Sequence, residues 1–370
     1  MANLAVPKGS TVLVTGVNGL LGSHVAKQFL ESGYKVRGTV RNPEKVAWLP
    51  AAFEKQFGQG NFELVQVSDM AAEGAFDEAT KGVAVVVHTA SIMTLDPNPN
   101  NVIPVAIKGA LTALKSAYAQ PSVKRFVFTS SSAAAGPKDD SPDSVITEDN
   151  WNENAVNIAW ADPPYSPERS GAVYAASKTQ AEQEVWKYHK EHRSERLDLV
   201  VNTVLPNFNF GGSIDAVNQG FPSSSGLPVI LYNGKIAGVH RVISEQYFID
   251  NDDTGRLHVA GAILEHVKDQ RIFGLAHTFS WDSILEIFRN NEPGKKFPEN
   301  FSNEPSQHPV EARDKAEQYL RELGRTGWTS LEESILETVK GINEAGDKLQ
   351  FESYSRMGPR KDTDAAAKSA

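Results

Sequence analysis

Continuously apolar runs, bounded by glycine or polar residues, recur through the first part of the chain. They read STVLVTG at 10–16, YKVRGTV at 34–40, FELVQVSD at 62–69, VAVVVHTA at 83–90, RFVFTSS at 125–131 and LDLVVNTVLP at 197–206. Short runs rich in β-branched residues are typical of strands. Because most of them do not alternate with polar residues, they predict a parallel sheet covered by helices on both faces.

Helical periodicity occupies the intervals between these runs. Leu21, Val25 and Phe29 lie on one helical face directly after the first run. Further helical segments are predicted near 75–81, 102–118 and 172–192. Since strands that alternate with helices form parallel βαβ units, the predicted fold class is α/β, with a doubly wound parallel sheet of the Rossmann type.

The alternation weakens after residue 208. A loop-like stretch, GGSIDAVNQGFPSSSG, is followed by the mixed segments RVISEQYFID, RIFGLAHTF, SWDSILEIFRNN and SLEESILETVKGI. We therefore predict a doubly wound domain over 1–208 and a smaller mixed α/β C-terminal lobe over 209–347. The polar, aperiodic segment 348–370 predicts a disordered tail.

Composition narrows the classes of partner. The 370 residues are 40% hydrophobic, enough for a large core and one or two domains. A net charge of −9 without a basic cluster disfavours nucleic acid. No cysteine is present, which excludes disulfides and thiolate zinc sites. Because the start lacks a signal-peptide pattern and no apolar run is long enough for a bilayer, we expect a cytoplasmic protein without a membrane anchor.

Three glycines mark the turn between the first predicted strand and helix, in TGVNGLLG at 15–22. Glycine at this place lets a pyrophosphate approach the helix N-terminus, where free N–H groups and the helix dipole favour an anion. The turn therefore predicts dinucleotide binding. The predicted contacts are Gly16, Asn18, Gly19, Leu20, Leu21 and Gly22.

The end of the second predicted strand indicates which dinucleotide is bound. An acidic residue there would bind the ribose 2′-hydroxyl of NAD, whereas a cation would accommodate the 2′-phosphate of NADP. The segment carries Arg37, Arg41 and Lys45, with no acid at the strand end. We therefore expect NADPH/NADP as the cofactor, with Arg41 and Lys45 at its 2′-phosphate.

A tyrosine and a lysine share one face of the predicted helix in GAVYAASKTQAEQEVW, 171–186. Tyr174 and Lys178 are four positions apart, so the ammonium can lie beside the phenol and lower its pKa. Such a pair also occurs by chance in many helices. His189 and His192, further along, are expected on a charged, solvated face, which predicts no metal site.

The motifs together resemble the extended short-chain dehydrogenase/reductases over about residues 8–343. The resemblance is carried, in order, by the glycine turn, VHTAS at 87–91, FVFTSSS at 126–132, YAASK at 174–178 and LPNF at 205–208. GYKVRGTVR, PSVKRFVFTSS, VYAASKTQAE and LGRTGWTSLEESI are most similar to the fungal NADPH-dependent aldehyde and ketone (carbonyl) reductases, relatives of the dihydroflavonol reductases. This implies a Rossmann-fold domain over 1–208 that binds NADP and carries the catalytic groups, and a substrate-binding lobe over 209–347.

The resemblance also implies the catalytic residues. Ser131 would hydrogen-bond the substrate carbonyl, Tyr174 would donate the proton, and Lys178 would hold the nicotinamide ribose and lower the pKa of Tyr174. Ser130 and Ser132 leave the position of the serine open by one residue. Further implied cofactor contacts are Asp69 and Met70 at the adenine, His88, Thr89, Ala90 and Ser91 along the cofactor, and Pro206, Asn207 and Phe208 near the nicotinamide.

The implied substrate pocket is mostly apolar and contains no arginine or lysine. A charged substrate would therefore lose hydration without gaining a partner, which favours neutral, hydrophobic aldehydes and ketones, including keto esters. Gln246 is the expected polar anchor. The pocket positions are Ile92, Met93, Leu95, Gly171, Leu227 and Gln246.

Several alternatives stay open. GAVYAASK replaces the Asn-Trp-Tyr-Cys-Tyr stretch of the cinnamoyl-CoA reductases, which disfavours a CoA thioester substrate. A nucleotide-sugar epimerase or dehydratase shares the serine, tyrosine and lysine, although Arg41 argues against its usual NAD. A non-catalytic NADP-sensing protein is a third class. The sequence leaves a monomer and a homodimer equally open.

Overall fold

The computed structural model describes residues 3–137, 144–243, 245–302 and 308–349. All but the first two residues of the predicted tail, 348–370, lie outside these ranges. Ten strands are formed within them: β1 Thr11–Thr15, β2 Lys35–Val40, β3 Phe62–Gln66, β4 Val85–His88, β5 Arg125–Thr129, β6 Val200–Pro206, β7 Phe208–Phe210, β8 Glu245–Asp250, β9 Arg271–Gly274 and β10 His277–Ser280.

The helices of the described residues lie between and after these strands. They are α1 Leu20–Glu31, α2 Trp48–Phe57, α3 Asp77–Thr80, α4 Pro99–Ala119, α5 Glu153–Ala159, α6 Ser170–His192, α7 Gly226–Tyr232, α8 Gly238–Val242, α9 Asn251–Ile263, α10 Trp281–Asn291, α11 Arg313–Glu322 and α12 Leu331–Ala345.

Seven strands form a parallel sheet in the order β3-β2-β1-β4-β5-β6-β9. Alternate residues of β1 enter different cores: Val12 and Val14 pack with α1 and α9, whereas Leu13 packs with α4 and α6. The sheet is therefore covered on both faces, and the predicted doubly wound α/β fold is confirmed. Between β1 and β4 the order in which strands are added to the sheet changes direction. Doubly wound parallel sheets bind their ligands in the crevice at such a point.

A smaller, mixed sheet of three strands, β10-β8-β7, forms the predicted C-terminal lobe. β8 runs antiparallel to β10 and parallel to β7. Its apolar face packs against α7, α10 and α12 through a cluster that includes Phe210, Trp281 and Phe288, all of them fully buried. These aromatic side chains hold the small sheet to its helices.

The chain does not stay in the smaller lobe after residue 209. RIFGLAHTF, expected in the lobe, is divided: β9 adds to the large sheet beside β6, and β10 belongs to the small one. α9 packs against α1. A short apolar run predicts a strand but not which sheet it joins, because the partner is distant in sequence. The division at 208 stays a prediction, and the helices α2, α5, α7, α8, α9 and α11 were not predicted.

Candidate active site

The glycine turn between β1 and α1 leaves no space for side chains. Gly16 has a φ of +64°, where other residues are strained. A Cβ on Gly22 would lie 2.4 Å from the Gly16 carbonyl oxygen and 2.8 Å from Thr89 Oγ1. Gly19, the N-cap of α1, places no side chain over the first turn. The residues therefore fit a dinucleotide pyrophosphate at the open helix N-terminus.

The segment after β4 lies against this turn. Thr15 Oγ1 at the end of β1 accepts hydrogen bonds from the backbone N–H groups of Thr89 and Ala90, both at 3.1 Å. A Cβ on Gly16 would lie 3.0 Å from Ala90 Cα. His88 is 1% exposed, and burial, followed by the charge of Lys178, lowers its pKa to about 3. His88 is therefore neutral at physiological pH.

The cations near the end of β2 differ in their surroundings. Arg41 follows the strand directly, Lys45 lies in the next turn, and both are exposed. Within the described ranges neither side chain has a hydrogen bond or an ion pair. Arg37, in contrast, lies inside the strand and donates from Nε to Glu63 Oε1 at 2.6 Å. From the sequence, Arg37 was grouped with the cations expected near the 2′-phosphate. In the structure its charge is already paired with that of Glu63.

The two predicted adenine contacts follow β3. Asp69 is exposed, and its Oδ1 accepts a hydrogen bond from the Ala71 N–H at 2.8 Å. Met70 is partly buried, and its Cε would lie 3.2 Å from a Cβ on Gly109 of α4. Asp69 thus shapes its own loop, while Met70 fills the space above α4. Their contact with adenine stays a prediction.

The three implied catalytic side chains converge between β5 and α6. Ser131 lies two residues after β5 and is 7% exposed. Tyr174, on the first turns of α6, lies close enough to Ser131 for the serine hydroxyl to act on the pKa of its phenol. Lys178, one turn later, donates from Nζ to the Thr129 carbonyl at 3.3 Å. The arrangement places a hydroxyl, a phenol and an ammonium at the carboxyl end of the sheet.

Burial dominates the protonation of this cluster. It raises the pKa of the Tyr174 phenol, and the hydrogen bond with Ser131 only opposes this. Burial also lowers the pKa of Lys178 to about 8, and the carboxylate of Glu182 opposes the change. The lowering of the Tyr174 pKa that was expected from Lys178 and the oxidised cofactor is not found in the protein alone, where desolvation of the phenolate sets the direction.

Hydrogen bonding distinguishes the neighbouring serines. Ser130 is 2% exposed, and its Oγ donates to Glu182 Oε2 at 2.6 Å, away from Tyr174. Ser132 begins the 3₁₀ turn Ser132–Ala134. The serine whose hydroxyl acts on the Tyr174 phenol is Ser131, the one that the resemblance indicated first.

The implied pocket residues fall into two groups. Gly171 faces open space, and Ser170 Oγ donates to the Leu95 carbonyl at 2.9 Å, which holds the exposed Met93 and Leu95 near the start of α6. In the other group the side chains pack inward. Ile92 packs with α4 and α6, and Leu227 is 1% exposed within the core of the smaller lobe. A pocket role for Leu227 thus gains no support and stays a prediction.

One hydrogen bond joins the implied nicotinamide and substrate residues. Asn207 Nδ2 donates to Gln246 Oε1 at 2.9 Å, so the strand β8 meets the end of β6. Pro206 ends β6 in a buried position, and Phe208 is partly buried at the start of β7. Gln246 therefore lies where the large sheet and the smaller lobe meet.

The sequence pattern of the NAD dependent epimerase/dehydratase family matches residues 12–210, more than half of the chain. The chain belongs to this family. The matched region includes the glycine turn and all three of Ser131, Tyr174 and Lys178. The expected resemblance to extended short-chain dehydrogenase/reductases, and within them to aldehyde and ketone reductases, is confirmed.

Relatives of this epimerase/dehydratase-family protein cover most of its length. Aldehyde reductase 2 of Sporidiobolus salmonicolor is 39% identical over 91% of this chain and 97% of the relative. The NAD-dependent epimerase/dehydratase terH of Aspergillus terreus is 38% identical over 90% of this chain and 97% of its own. The crystal structure of Gre2 from Candida albicans in complex with NADPH has a TM-score of 0.76 and 26% identity, and covers 92% of this chain and 99% of that one.

Two residues of this family member near the site were not predicted. Gln219, in the loop after β7, donates from Nε2 to Ser23 Oγ at 2.8 Å and reaches the carbonyls of Asn18 and Gly19. Glu182 lies buried beneath Lys178. The sequence offers no local signal for Gln219. Glu182 is marked only by its i, i+4 spacing from Lys178.

The histidines of α6 correct another expectation. His189 is 4% exposed rather than solvated, and its Nδ1 lies 2.6 Å from the Tyr118 hydroxyl. Its Nε2 lies 3.2 Å from Asp269 Oδ1. The position of His189 on its helix did not reveal this burial, because the residues that cover it come from distant segments of the chain. Within the described ranges, no group of three or more histidine or acidic side chains is placed to hold a metal ion, and no helix is long and apolar enough to cross a membrane.

Proposed function

We propose that this protein is an NADPH-dependent carbonyl reductase that converts neutral, hydrophobic aldehydes and ketones, including keto esters, to alcohols. The observation that carries the proposal is the convergence of Ser131, Tyr174 and Lys178. These side chains lie beside the segment that follows β4, which in turn lies against the glycine turn. The relative named aldehyde reductase 2 and the NADPH complex of Gre2 support both the reaction and the cofactor.

Each of the three side chains has a separate task in this reaction. When bound, NADPH supplies a hydride for the substrate's carbonyl carbon. Ser131 Oγ donates a hydrogen bond to the carbonyl oxygen, and Tyr174 transfers its phenolic proton to that oxygen as negative charge develops there. Lys178, largely protonated below a pKa of about 8, holds the ribose and stabilises the phenolate that remains.

The proposed preference for NADPH depends on Arg41 and Lys45. Both are exposed at the end of β2, and their charges have no partner among the described side chains. A dianionic 2′-phosphate would supply one, and a guanidinium can bind it through two hydrogen bonds. No carboxylate follows β2 directly to bind the 2′-hydroxyl of NAD.

The proposed substrate class follows from the surroundings of Tyr174. Gly171 opens space on one side, Met93 and Leu95 expose apolar surface near it, and Gln246 offers an amide at the junction with the smaller lobe. Such a mixture orients a neutral molecule by one or two hydrogen bonds and binds the rest by apolar contact.

The test is a substrate panel with the purified protein. NADPH absorbance is followed with neutral aryl ketones, aliphatic aldehydes, keto esters, pyruvate and a nucleotide sugar. Stoichiometric NADPH consumption with a neutral ketone or aldehyde supports the proposal. Conversion of the nucleotide sugar without net cofactor consumption would establish the epimerase alternative instead, and tight NADPH binding without turnover of any compound would establish the sensing protein.

A further inference from the structure

A carboxylate lies beneath the proposed catalytic pair. Glu182 follows Lys178 by one turn of α6, and its side chain is 0% exposed. Its Oε2 accepts a hydrogen bond from Ser130 Oγ at 2.6 Å, and its Oε1 accepts one from Thr203 Oγ1 at 2.7 Å. Arg271 donates to it from Nε at 2.8 Å and from Nη2 at 3.2 Å. One side chain therefore joins α6 to the segment after β5, to β6 and to β9.

Stability alone is a weak reason for such an ion pair. Burying a carboxylate and a guanidinium costs hydration, and apolar residues of similar size are often as stable in their place. The hydrogen bonds of Glu182 satisfy its charge, but they also reach the residue that precedes Ser131. The location of Glu182 next to Lys178 and to the residue that precedes Ser131 therefore suggests a role in the proposed site.

We propose that Glu182 is a positioning residue of the reductase. Through Ser130 it fixes the backbone that presents Ser131 to Tyr174, and its negative charge stands one helical turn from Lys178. The inference rests on the proposed function, because it assigns Ser131, Tyr174 and Lys178 to the reaction.

The charge of Glu182 acts within a small set of ionisable neighbours. Lys178 faces Tyr174 and Glu182 on its own helix and His88 on β4, with Arg271 of β9 behind the carboxylate. His88 contributes no charge, because burial lowers its pKa to about 3. Glu182 opposes the desolvation that lowers the pKa of Lys178 to about 8. Without this carboxylate, Lys178 would lose its proton at a lower pH.

Two matched variants test the positioning role. Ser130→Ala and Thr203→Val each remove one hydrogen bond to Glu182, of 2.6 and 2.7 Å, from side chains that are 2% and 0% exposed. Only Ser130 adjoins Ser131. We expect Ser130→Ala to lower kcat by roughly ten- to a hundredfold, since small displacements of catalytic groups are costly, with little change in KM for NADPH. Thr203→Val should keep kcat close to the wild-type value at a similar loss of Tm. Equal losses of kcat in both variants would overturn the positioning role.

The effect of the charge is tested by the pH profile. Glu182→Gln keeps an oxygen acceptor and removes the charge, so the alkaline limb of kcat should move to lower pH by roughly one unit or more. Thr203→Val should leave the limb in place. A limb at the wild-type pH in Glu182→Gln would refute the charge role. Should that variant fail to fold because Arg271 is left unpaired, Arg271→Met and Glu182→Gln/Arg271→Met are compared instead, since these two differ only in the charge at residue 182. An alkaline limb at the same pH in both would refute the charge role.

Tyr174→Phe separates this inference from the proposed function. If Tyr174→Phe stays active, the catalytic assignment is wrong and the role of Glu182 is wrong with it. If Tyr174→Phe is inactive while Ser130→Ala and Thr203→Val lose equal activity, the proposed function stands and only the role of Glu182 is wrong.

Discussion

Burial raises the pKa of the Tyr174 phenol above its ordinary value, so the phenol stays protonated well beyond neutral pH. In the proposed reaction, such a phenol releases its proton only to a stronger base, the developing alkoxide. Lys178 behaves in the opposite way, since burial brings its pKa down to about 8 and its charge is lost at mildly alkaline pH. For the proposed reduction, this pair therefore favours neutral or slightly acidic pH.

The proposed donor role of Tyr174 predicts that a variant can lose catalysis and still bind the cofactor. Tyr174→Phe keeps the ring and removes the proton, and positioned acid catalysis contributes roughly 10²- to 10⁴-fold. We expect kcat to fall by that order while the Kd for NADPH, measured by fluorescence titration, changes little. Retention of most activity would contradict the assignment.

The cations at the end of β2 predict cofactor selectivity. Arg41→Ala should weaken NADPH by roughly tenfold or more, because a charge-assisted hydrogen bond is lost, and should leave NADH almost unaffected. Arg37→Ala is the matched control: this guanidinium is paired with Glu63 inside the same strand, so any loss should be the same for both cofactors. Equal weakening of NADPH and NADH by Arg41→Ala would show a structural role for Arg41. Kd values for the two cofactors decide the comparison.

At the scale of elements, the sequence predicts what depends on local pattern. β1 to β6 were predicted because most of these strands are continuously apolar, as strands buried on both faces of a sheet are. α2, Trp48–Phe57, was not predicted, although its two buried residues, Leu49 and Phe53, lie at helical spacing. The placement of β9 in the large sheet depends on pairing with β6, which no local pattern records.

The loop after β7 illustrates the same limit and carries a prediction. It was expected to be irregular, yet Gln219 reaches across to Ser23 and to the glycine turn. Gln219→Ala should loosen this contact and raise the Kd for NADPH by roughly three- to tenfold, the loss of one or two hydrogen bonds, with little effect on kcat. The control is Asn218→Ala, because among the residues that the structure describes Asn218 bonds only Asp215, within its own loop. A change of equal size in Asn218→Ala would mean that the loop as a whole, not Gln219, is responsible.

The start of α9 predicts a dependence of stability on pH. Asp250 caps this helix, is 8% exposed, and bonds the Asp252 N–H and the Ser334 hydroxyl. Burial, then the charges of Asp252 and Asp253, raises the pKa of Asp250 to about 6. A raised pKa means that the folded state binds the extra proton, so the wild type loses stability as the pH rises towards and through 6.

Asp250→Asn keeps an acceptor for the Asp252 N–H and cannot become charged. We expect its free energy of unfolding to exceed that of the wild type at pH 8 by up to about 3 kcal/mol, and the difference to shrink at pH 4. Urea unfolding at the two pH values measures it. A difference in free energy that does not change with pH would show that burial does not raise the pKa of the Asp250 carboxyl.

At the scale of the whole molecule, the candidate site contains residues from both sheets. The sequence predicts the order of these segments along the chain but not how the two sheets pack together. The glycine turn, the 88–91 segment and the serine all follow strands of the large sheet, so their common edge was predictable from the βαβ pattern. Gln246 comes from the small sheet and meets Asn207 through a pairing that the motifs do not encode. The proposed catalytic and cofactor-binding residues could therefore be predicted from residue types, whereas the substrate pocket depends on how the smaller lobe packs.

Charge acts on substrate choice at this same scale. The chain carries a net charge of −9, and none of the implied pocket positions is an arginine or lysine. An anionic substrate would thus be repelled over a distance and would also lose hydration on entry without gaining a partner. A neutral analogue with the same reacting carbonyl meets neither cost.

An α-keto ester and its free acid make this comparison directly. The two share the carbonyl and differ in charge, and leaving a carboxylate unpaired in a partly buried site costs several kcal/mol, so kcat/KM for the acid should be lower by about 10²-fold or more. Raising the ionic strength should narrow the ratio only in part, because salt screens the long-range repulsion but not the loss of hydration inside the pocket. Steady-state rates for both compounds at low and high salt test this. If the acid is the better substrate, a cation must line the pocket and the neutral-substrate proposal is wrong. A ratio abolished by salt would assign the discrimination to the surface charge alone.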